Sequence, residues 1–359
     1  MTKKRVIVGM SGGVDSSVTA ALLKQRGYDV IGVTMQLLQT EKVIQSACCN
    51  LSAISDAKRV CSSLNIPHYT INLREPFKTH VIDQFVSQYV QGVTPNPCVE
   101  CNRYIKFDEL IKVADELGAP YIATGHYCKK TRSSKTNSYR LLMANDDAKD
   151  QSYFLYMLDQ PRLKRILFPL GQYTKSEVRA IAESFDLINA NRKESQDICF
   201  VSKKDYKLFV EEHSSVADRT PGFIVDQSGK ILGNHSGIYR YTIGQRRGLN
   251  LGSEFPMYVI KIDSKSNTIV VGTQEDLKTD VIVLTQFSFV DPNEAFSDQR
   301  YEVKTRYQMT PVTCRISLNN ENRMVVDLLG VSDFISPGQS AVLYQKNRIV
   351  GGGIISSVN

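Results

Sequence analysis

The sequence predicts an α/β fold: an N-terminal parallel sheet with helices on both faces, then a small β-rich central domain and a C-terminal antiparallel β-barrel. Strand-like and helix-like patterns alternate through the first half of the chain, which is typical of parallel sheets covered by helices. After about residue 213, short alternating runs between Gly, Ser and Asp turns replace the helical patterns. We expect domain boundaries at residues 1–205, 206–276 and 277–359.

The first element is an apolar run over residues 5–10, rich in β-branched side chains and bounded by glycine, which predicts a buried parallel strand. Residues 14–26 then carry apolar side chains at helical spacing and end at Gly27, a residue type that favours a helix C-terminus. Gly12 and Gly13 therefore lie in a tight turn between a strand and a helix.

This turn predicts a phosphate site. Glycines let backbone N–H groups converge, and the helix start adds free donors and a positive partial charge. Ser11, Ser16 and Ser17 add hydroxyl groups. The Lys-Ser/Thr pair of a Walker loop and the Gly-x-Gly-x-x-Gly pattern are both missing here, so the loop is of another kind. The alternative is a strand-to-helix turn without a ligand.

The remaining elements of the first domain follow the same alternation. Strand-like runs cover residues 29–36, 67–73 and 121–125, and helical patterns cover residues 51–64, 81–89, 104–117, 149–155 and 174–187. Because ligands gather beyond the carboxyl ends of parallel strands, the glycine turn, Met35 and Gly125-His126 are expected to converge on one nucleotide. Met35 either packs on an adenine ring or fills the core.

Two further segments of this domain have weaker patterns. Thr174 and Glu177 form a capping box, and we interpret the helix that they open as structural. Residues 129–138 are basic and hydroxyl-rich without apolar periodicity, which predicts a hairpin tip or a mobile loop.

Composition narrows the class of protein. In 359 residues with 42% hydrophobic side chains, no apolar run approaches the roughly 20 residues of a membrane span, and a basic start leads into a strand instead of a signal peptide. We expect a cytoplasmic protein without a membrane partner. The net charge of +7 permits a nucleic-acid partner. Eight cysteines without a secretion signal favour thiols, catalytic groups or metal ligands over a disulfide framework.

Two cysteines lie where a proline-stiffened loop meets a helix start. Cys98 and Cys101 follow Pro95 and Pro97, and a helix N-terminus with nearby basic side chains favours the thiolate, so either cysteine is a candidate nucleophile. Structural zinc normally needs four ligands, and a second Cys-x-x-Cys pair is missing from the sequence. Cys199 lies in a strand-like run and by itself would be interpreted as a core cysteine.

The glycine turn resembles the Ser-Gly-Gly-x-Asp-Ser signature of the ATP pyrophosphatases. Over essentially the whole chain, the combination of motifs resembles the tRNA-specific 2-thiouridylases. The matching motifs are GMSGGVDS (9–16), TPNP (94–97) with Cys101-Asn102, ATGHY (123–127), KDQSYFL (149–155), DICF (197–200), YTIGQRRGL (241–249) and SPGQ (336–339).

The resemblance implies a reaction. ATP with Mg²⁺ adenylates the C2 oxygen of the wobble uridine (U34) in tRNAs of the Lys, Glu and Gln type, and sulfur from a persulfide on Cys199 replaces that oxygen. The products are 2-thiouridine, AMP and pyrophosphate. Cys101 is implied as the partner nucleophile that forms a disulfide with Cys199 as sulfur leaves. The implied partners are the tRNA anticodon stem-loop and a persulfide sulfur-donor protein, with no role for DNA.

The resemblance also implies site residues, by motif position. The ATP site would consist of Gly9, Met10, Ser11, Gly12, Gly13, Val14, Asp15, Ser16, Met35 and Gly125. The target base and the surrounding tRNA would meet Asn96, Pro97, Cys98, His126, Lys149, Asp150, Gln151, Arg306, Tyr307 and Gln339. Residues 239–249 mix tyrosines, arginines and glycines, which suits RNA contacts or a solvated turn.

The sequence departs from the family pattern at Cys98, where many members carry an aspartate that is assigned acid/base work. Cys98 itself, water or His126 would then transfer the proton. Alternatively, Cys98, Cys101 and Cys199 would ligate a [4Fe-4S] cluster that activates sulfide. A different alternative keeps the ATP pyrophosphatase chemistry and exchanges the acceptor for another class of molecule.

Overall fold

The structure is a computed structural model that describes residues 3–38, 51–192, 198–201, 205–253, 255–291, 293, 300–332 and 334–358. The described strands of the first 205 residues are β1 (Arg5–Gly9), β2 (Asp29–Gln36), β3 (His68–Asn72), β4 (Tyr121–Ala123), β5 (Lys129–Arg132), β6 (Tyr139–Leu142) and β7 (Ile166–Leu167). The described helices up to His213 are α1 (Val14–Gln25), α2 (Leu51–Ser63), α3 (Arg74–Phe77), α4 (Asp83–Val90), α5 (Pro97–Glu100), α6 (Leu110–Glu116), α7 (Gln160–Arg165), α8 (Lys175–Ser184) and α9 (Tyr206–His213).

Five strands form the predicted parallel sheet in the order β3-β2-β1-β4-β7. Successive side chains of β1 point to opposite faces, and both faces are covered. Val6 and Val8 pack into a cluster with α1, α2 and α8, whereas Ile7 packs into another with α6. The prediction of a parallel sheet with helices on both faces is confirmed, and the carboxyl ends of β1, β2 and β4 face one common edge.

Two of the helices are longer than the sequence pattern predicted because π-helical turns extend them. Residues Lys78–Ile82 join α3 to α4, and residues Cys101–Glu109 join α5 to α6. The helix predicted from residue 104 therefore begins at Pro97, whose fixed φ suits the first helical position. This earlier start places Cys98 in the first turn of the helix.

The segment at residues 129–138 belongs to a hairpin that docks on the C-terminal barrel. β5 pairs with β6, and β6 pairs with the last strand of the chain through Arg348 and Ile349. At the hairpin tip, the Ser138 hydroxyl donates to the Asp291 carboxylate. Of the two predicted states, hairpin tip or mobile loop, the structure therefore has the hairpin.

The helix predicted over residues 149–155 is wrong, because only a 3₁₀ turn forms over Ser152–Leu155. The Asp150 carboxylate accepts hydrogen bonds from the backbone N–H of Ala144 at 2.9 Å and of Ser152 at 3.3 Å. Such local bonds from an aspartate to the backbone compete with helix formation. The polar start of this segment is thus a turn with an enclosed carboxylate.

The central domain is a small mixed sheet with the strand order β10-β11-β8-β9. Its strands are β8 (Gly222–Val225), β9 (Ile231–His235), β10 (Tyr258–Asp263) and β11 (Thr268–Gly272). Ile224, Val259 and Ile269 form its core. The β-rich central domain predicted from the change in pattern is confirmed.

The C-terminal segment forms a closed barrel. Its strands are β12 (Thr279–Phe289), β13 (Tyr301–Lys304), β14 (Val312–Leu318), β15 (Met324–Ser332), β16 (Ser340–Gln345) and β17 (Arg348–Val358). They pair in the order β12-β15-β14-β13-β16-β17, and β12 also pairs with β17, which closes the ring. Every pairing in the ring is antiparallel, so the predicted antiparallel barrel is confirmed. Within the described residues, no helix is both long and apolar enough to cross a membrane.

Candidate functional site: a phosphate loop beside two cysteines

The glycine turn between β1 and α1 has a conformation that only glycine suits. Gly12 has φ of +73°, and a Cβ atom at this position would lie 2.4 Å from the Ala53 carbonyl oxygen. The hydroxyl groups of Ser16 and Ser17 each donate to the Gly13 carbonyl oxygen at 3.0 Å. The loop is thus closed over the first turn of α1, whose N-terminus favours an anion.

Asp15, in the first turn of α1, takes part in a partly buried polar network. Lys175 donates from its ammonium group to both carboxylate oxygens of Asp15, at 2.7 and 2.9 Å. The Tyr127 hydroxyl donates to Asp15 Oδ1 at 2.8 Å. The Lys175 side chain is only 12% exposed, so this charge is held at the loop.

The ends of β2 and β4 approach the same loop. A Cβ atom at Gly125 would lie 2.9 Å from both the Asp15 carbonyl carbon and the Ser16 nitrogen, so glycine allows this close approach. Met35, at the end of β2, is half-buried and packs against two apolar clusters. The structure therefore brings Gly125 to the loop, as the carboxyl-end rule predicted, and contact of Met35 with a nucleotide stays a prediction.

His126 points into the protein. It is 9% exposed, its Nδ1 atom lies 2.8 Å from the Thr124 hydroxyl, and its ring stacks on Phe107. Burial, and to a lesser degree the charge of Lys106, hold the pKa of His126 well below its ordinary value. His126 is therefore neutral at pH 7 and is a poor source of a proton there.

The segment at residues 149–151 is held within the protein by hydrogen bonds, one of which fixes Tyr127. Asp150 is 5% exposed, and its carboxylate also accepts from the Ser152 hydroxyl at 2.7 Å. Burial raises the pKa of Asp150, against the opposing effect of these hydrogen bonds. Gln151 Oε1 accepts from the Tyr127 N–H at 3.0 Å, which fixes the residue that bonds to Asp15. In this conformation Asp150 and Gln151 make contacts within the protein, and their contact with tRNA stays a prediction.

Cys101 and Cys199 meet at one apolar cluster. Cys101 is 6% exposed and belongs to a cluster with Phe85 and Phe200, and the partly buried Cys199 and Met35 pack against the same cluster. Cys98, one turn before Cys101, is exposed. Residues at the end of β2 and both predicted catalytic cysteines thus share one neighbourhood.

The local structure at Cys199 differs from the prediction. The residues around it form a turn, in which the Val201 N–H donates to the Ile198 carbonyl oxygen at 3.1 Å, and the predicted strand is wrong. A turn leaves Cys199 partly exposed, whereas a core strand would enclose it.

The barrel touches the loop that carries Cys98. Gln339 Nε2 donates to the carbonyl oxygens of Thr94 at 3.0 Å and Pro95 at 2.8 Å. Asn96 hydrogen-bonds to the hydroxyl of Tyr153, which in turn donates to the Ser340 carbonyl oxygen at 2.8 Å. The barrel thereby fixes the chain on the N-terminal side of the two cysteines.

Tyr307 also lies at a domain contact, whereas the hydrogen bond of Arg306 to Phe334 stays within the barrel. The Tyr307 ring lies 4.6 Å from that of Phe154, next to the Asn96 bond, and Arg306 donates to the Phe334 carbonyl oxygen. Their contact with tRNA, like that of Gln339, stays a prediction.

Three sequence profiles match the chain in succession. The profile described as "tRNA methyl transferase HUP domain" matches residues 4–203, "tRNA methyl transferase PRC-barrel domain" matches residues 207–273, and "Aminomethyltransferase beta-barrel domain" matches residues 279–355.

Two relatives are similar over the whole chain. The tRNA-specific 2-thiouridylase MnmA of Clostridium perfringens is 45% identical over 362 residues, which are 100% of this chain and 100% of the relative. The tRNA-specific 2-thiouridylase MnmA 2 of a Thermoanaerobacter species is 47% identical over 356 residues, 98% of this chain and 97% of the relative. This chain belongs to the tRNA-specific 2-thiouridylase family.

Among solved structures, a 4-thiouridine synthetase in complex with RNA and ATP covers 58% of this chain and 50% of its own, at 15% identity and a TM-score of 0.36. This likeness is too slight to support an argument about the site. The similarity to the 2-thiouridylases, in contrast, covers the full length of the chain.

For a 2-thiouridylase of this kind, the alternative of a cluster on Cys98, Cys101 and Cys199 lacks support. In the part of the chain that the structure describes, no three His, Cys, Asp or Glu side chains are grouped closely enough to hold a metal ion. The three cysteines are therefore not arranged as a ready ligand set in this conformation.

The tyrosines of residues 239–249 are enclosed. Tyr239 is 2% exposed and Tyr241 is 8% exposed, while Arg240 forms an ion pair with Glu211. Only Arg246 and Arg247 present exposed charges there. The segment suits phosphate contacts by these arginines better than base stacking by its tyrosines.

Lys175 is the site residue that the sequence interpretation missed. Its helix was interpreted as structural, and the predicted capping box of Thr174 and Glu177 is indeed present. A signal was nevertheless available, because a lysine in the first turn of a helix faces the positive end of the helix dipole. Such a placement indicates a partner elsewhere, and here that partner is Asp15.

Proposed function

We propose that this protein binds ATP and tRNA, adenylates the 2-oxygen of the wobble uridine, and replaces that oxygen with sulfur. One observation carries the proposal: Met35, Cys101 and Cys199 pack against one apolar cluster at the carboxyl end of β2, in the sheet whose first strand leads into the phosphate loop. A nucleotide on the loop and a sulfur nucleophile at the cysteines would then reach the same base. The names of the full-length relatives support the same activity.

ATP suits the loop by charge and by shape. The N-terminus of α1, the hydroxyl of the exposed Ser11 and the ammonium of Lys175 provide donors for the phosphates. Met35 would offer apolar surface to the nucleoside. Asp15 would hold Mg²⁺ together with phosphate oxygens, because Mg²⁺ prefers one or two carboxylates and substrate phosphates, and the ion would neutralise the departing pyrophosphate.

Adenylation turns a poor leaving group into a good one. The uridine 2-oxygen attacks the α-phosphorus of ATP, the bond from that phosphorus to the bridging oxygen breaks, and pyrophosphate leaves. The proton on N3 of the uridine passes to a base, for which Cys98 and water are the candidates. Lys175 and the amides of the loop stabilise the negative charge that develops on the phosphates. AMP then becomes the group that sulfur must displace at C2.

The two cysteines then divide the sulfur chemistry. The terminal sulfur of a Cys199 persulfide attacks C2 of the uridine, and AMP leaves. The Cys101 thiolate attacks Sγ of Cys199, the bond between Sγ and the transferred sulfur breaks, and 2-thiouridine is released. Cys101 and Cys199 are left as a disulfide, which a thiol reductant returns to two thiols before the next persulfide arrives from a donor protein.

The rest of the chain would hold the tRNA. Asn96, Pro97 and Cys98 would border the flipped base, and the exposed Arg246 and Arg247 would contact phosphates. We further propose domain boundaries near residues 205 and 277 and a cytoplasmic location, where tRNA is modified. The breaks between the matched profiles support these boundaries.

The test of the proposal is the dependence of ATP cleavage on tRNA. We expect AMP and pyrophosphate to form only when tRNA with a wobble uridine is present, and we expect an Asp15→Asn variant to form neither. AMP formation that needs no tRNA, or that needs a carboxylate or an amine instead, would favour the alternative in which another molecule is the acceptor.

A further inference from the structure

The carbonyl oxygen of Gly12 is bound from the side of the loop that faces the protein interior. Asn189 Nδ2 donates to it at 2.9 Å and Arg192 donates to it at 3.1 Å. Both residues lie after α8, more than 170 positions along the chain from Gly12. Neither belongs to the motifs that identify the phosphate loop.

These two bonds fix the orientation of a peptide group. In a trans peptide, the carbonyl oxygen of one residue and the N–H of the next point in opposite directions. Since the Gly12 oxygen points toward Asn189 and Arg192, the Gly13 N–H must point away from them. It donates to the hydroxyl of the exposed Ser11 at 3.4 Å, on the open side of the loop.

The two donors are themselves held in place. Asn189 is 5% exposed, and its amide nitrogen also donates to the Ser17 hydroxyl at 2.9 Å. Arg192 forms an ion pair with Asp56 on α2. The donors thus lie behind the loop, where a hydrogen bond and an ion pair connect the turn after α8 to α1 and α2.

A glycine peptide needs such support. Gly12 and Gly13 have no side chain to restrict rotation, so without these bonds the peptide between them can turn its oxygen toward the ligand. A carbonyl oxygen in that position would repel a phosphate, whereas an N–H group donates to it.

We propose that Asn189 and Arg192 are positioning residues that keep the Gly13 N–H directed at the phosphates of the nucleotide. The inference rests on the proposed function for its ligand, ATP. Because both residues bind the phosphate loop from behind, we expect them to affect the affinity for phosphate groups and not the affinity for the nucleoside.

The experiment compares the binding of ATP with Mg²⁺ and the binding of adenosine to the full chain, without tRNA, by titration calorimetry. Asn189→Asp keeps the size of the side chain and replaces the donor with a carboxylate oxygen, and Arg192→Gln removes the charge. We expect each variant to weaken ATP binding by about ten- to a hundredfold, the range for losing a hydrogen bond that supports a charged ligand, with adenosine affinity unchanged. Arg192→Lys should restore part of the loss.

The matched control is Asn267→Asp. Asn267 also donates to two backbone carbonyl oxygens, those of Thr220 and Pro221, but in the central domain. It should leave ATP affinity as it is. If Asn189→Asp does not fold, the affinities of Arg192→Gln for ATP and adenosine test the inference.

The outcomes separate this inference from the proposed function. Folded variants that bind ATP as tightly as the unaltered protein, or that lose ATP and adenosine affinity equally, would overturn the inference, whatever the protein does to tRNA. An unaltered protein that binds ATP but leaves tRNA unmodified would overturn the proposed function, and the ratio of ATP to adenosine affinity would still test the role of Asn189 and Arg192.

Discussion

The ammonium of Lys175 lies 2.7 Å from Oδ1 and 2.9 Å from Oδ2 of Asp15, so a lysine at the start of α8 neutralises an aspartate at the start of α1. The ion pair joins the first turns of the two helices at the phosphate loop. A nucleotide that binds at this loop would meet a cation and a carboxylate that already contact each other. We infer that the pair separates on binding, with Lys175 on phosphate and Asp15 on Mg²⁺.

Replacing Lys175 tests that role. Lys175→Met should lower tRNA-dependent AMP formation by about a hundredfold, because a charge that stabilises the departing pyrophosphate is lost. AMP release by quenched-flow chromatography measures the effect. Lys112→Gln is the control, since Lys112 pairs with Glu109 on the surface, and it should retain full activity. Unchanged AMP formation in Lys175→Met would remove Lys175 from the site.

Cys199→Ser should abolish sulfur transfer and leave the binding of ATP and tRNA unchanged. A hydroxyl group has nearly the size of a thiol but cannot carry the persulfide. Formation of 2-thiouridine, ATP affinity and tRNA affinity are measured side by side. Cys314→Ala is the control, because burial raises the pKa of this barrel cysteine to about 12 and keeps it an unreactive thiol. Sulfur transfer that persists in Cys199→Ser would reject the persulfide mechanism.

Variants of Cys98 distinguish a role of this residue in proton transfer from a role as a cluster ligand. If Cys98 handles a proton, Cys98→Asp should keep sulfur transfer and extend it to lower pH, since an ordinary aspartate titrates near 3.9 and an ordinary cysteine near 8.5. Cys98→Ala should lower the rate by about tenfold. The pH profile of 2-thiouridine formation provides the measurement. Loss of activity in both variants, together with iron in anaerobically purified protein, would favour the cluster.

His126 should make the stability of the protein depend on pH. Its pKa in the folded state is held below the ordinary value of 6.5 by burial, so the unfolded chain binds a proton that the folded protein does not. The stabilisation is present above pH 6.5 and is lost as the pH falls below it, by at most about 1.4 kcal/mol per pH unit. His126→Gln should flatten the decline of the urea midpoint between pH 7 and pH 5. Equal slopes for both proteins would contradict the buried neutral state.

The contact between the barrel and the cysteine loop should matter for sulfur transfer and not for nucleotide binding. Gly338 has φ of +88°, and a Cβ atom there would lie 2.7 Å from the Thr94 carbonyl oxygen. Gly338→Ala should therefore displace the loop that precedes Cys98 and lower 2-thiouridine formation by about tenfold, since small displacements of reacting groups have large effects. ATP affinity should stay unchanged.

Gly330→Ala is the matched control for this barrel variant, because a Cβ atom at Gly330 would meet no atom within 4 Å. Equal rates of 2-thiouridine formation in the two glycine variants would show that the barrel contact does not position the loop.

The parallel sheet could be predicted because its pattern is local. The strands are predicted by the apolar runs at residues 5–10 and 29–36. The turn and the end of a further strand are predicted by Gly12 and Gly125. The carboxyl-end rule then predicted Gly125 at the loop, where the structure places it.

The rest of the site depends on contacts between distant segments. Asn189 and Arg192 reach Gly12, and Gln339 reaches Thr94, across more than 170 residues, and no local pattern encodes such pairs. The wrong helix at residues 149–155 has a different, local cause, because the Asp150 carboxylate accepts from the backbone N–H of Ala144, which lies outside the segment that showed the pattern.

The most direct measurement is mass spectrometry of the nucleosides of tRNA after incubation with the protein, ATP, Mg²⁺ and a persulfide sulfur source. We predict 2-thiouridine at the wobble position, with AMP and pyrophosphate formed in equal amounts, and none of the three with Asp15→Asn. Absence of 2-thiouridine with the unaltered protein, under both aerobic and anaerobic conditions, would contradict the proposed function.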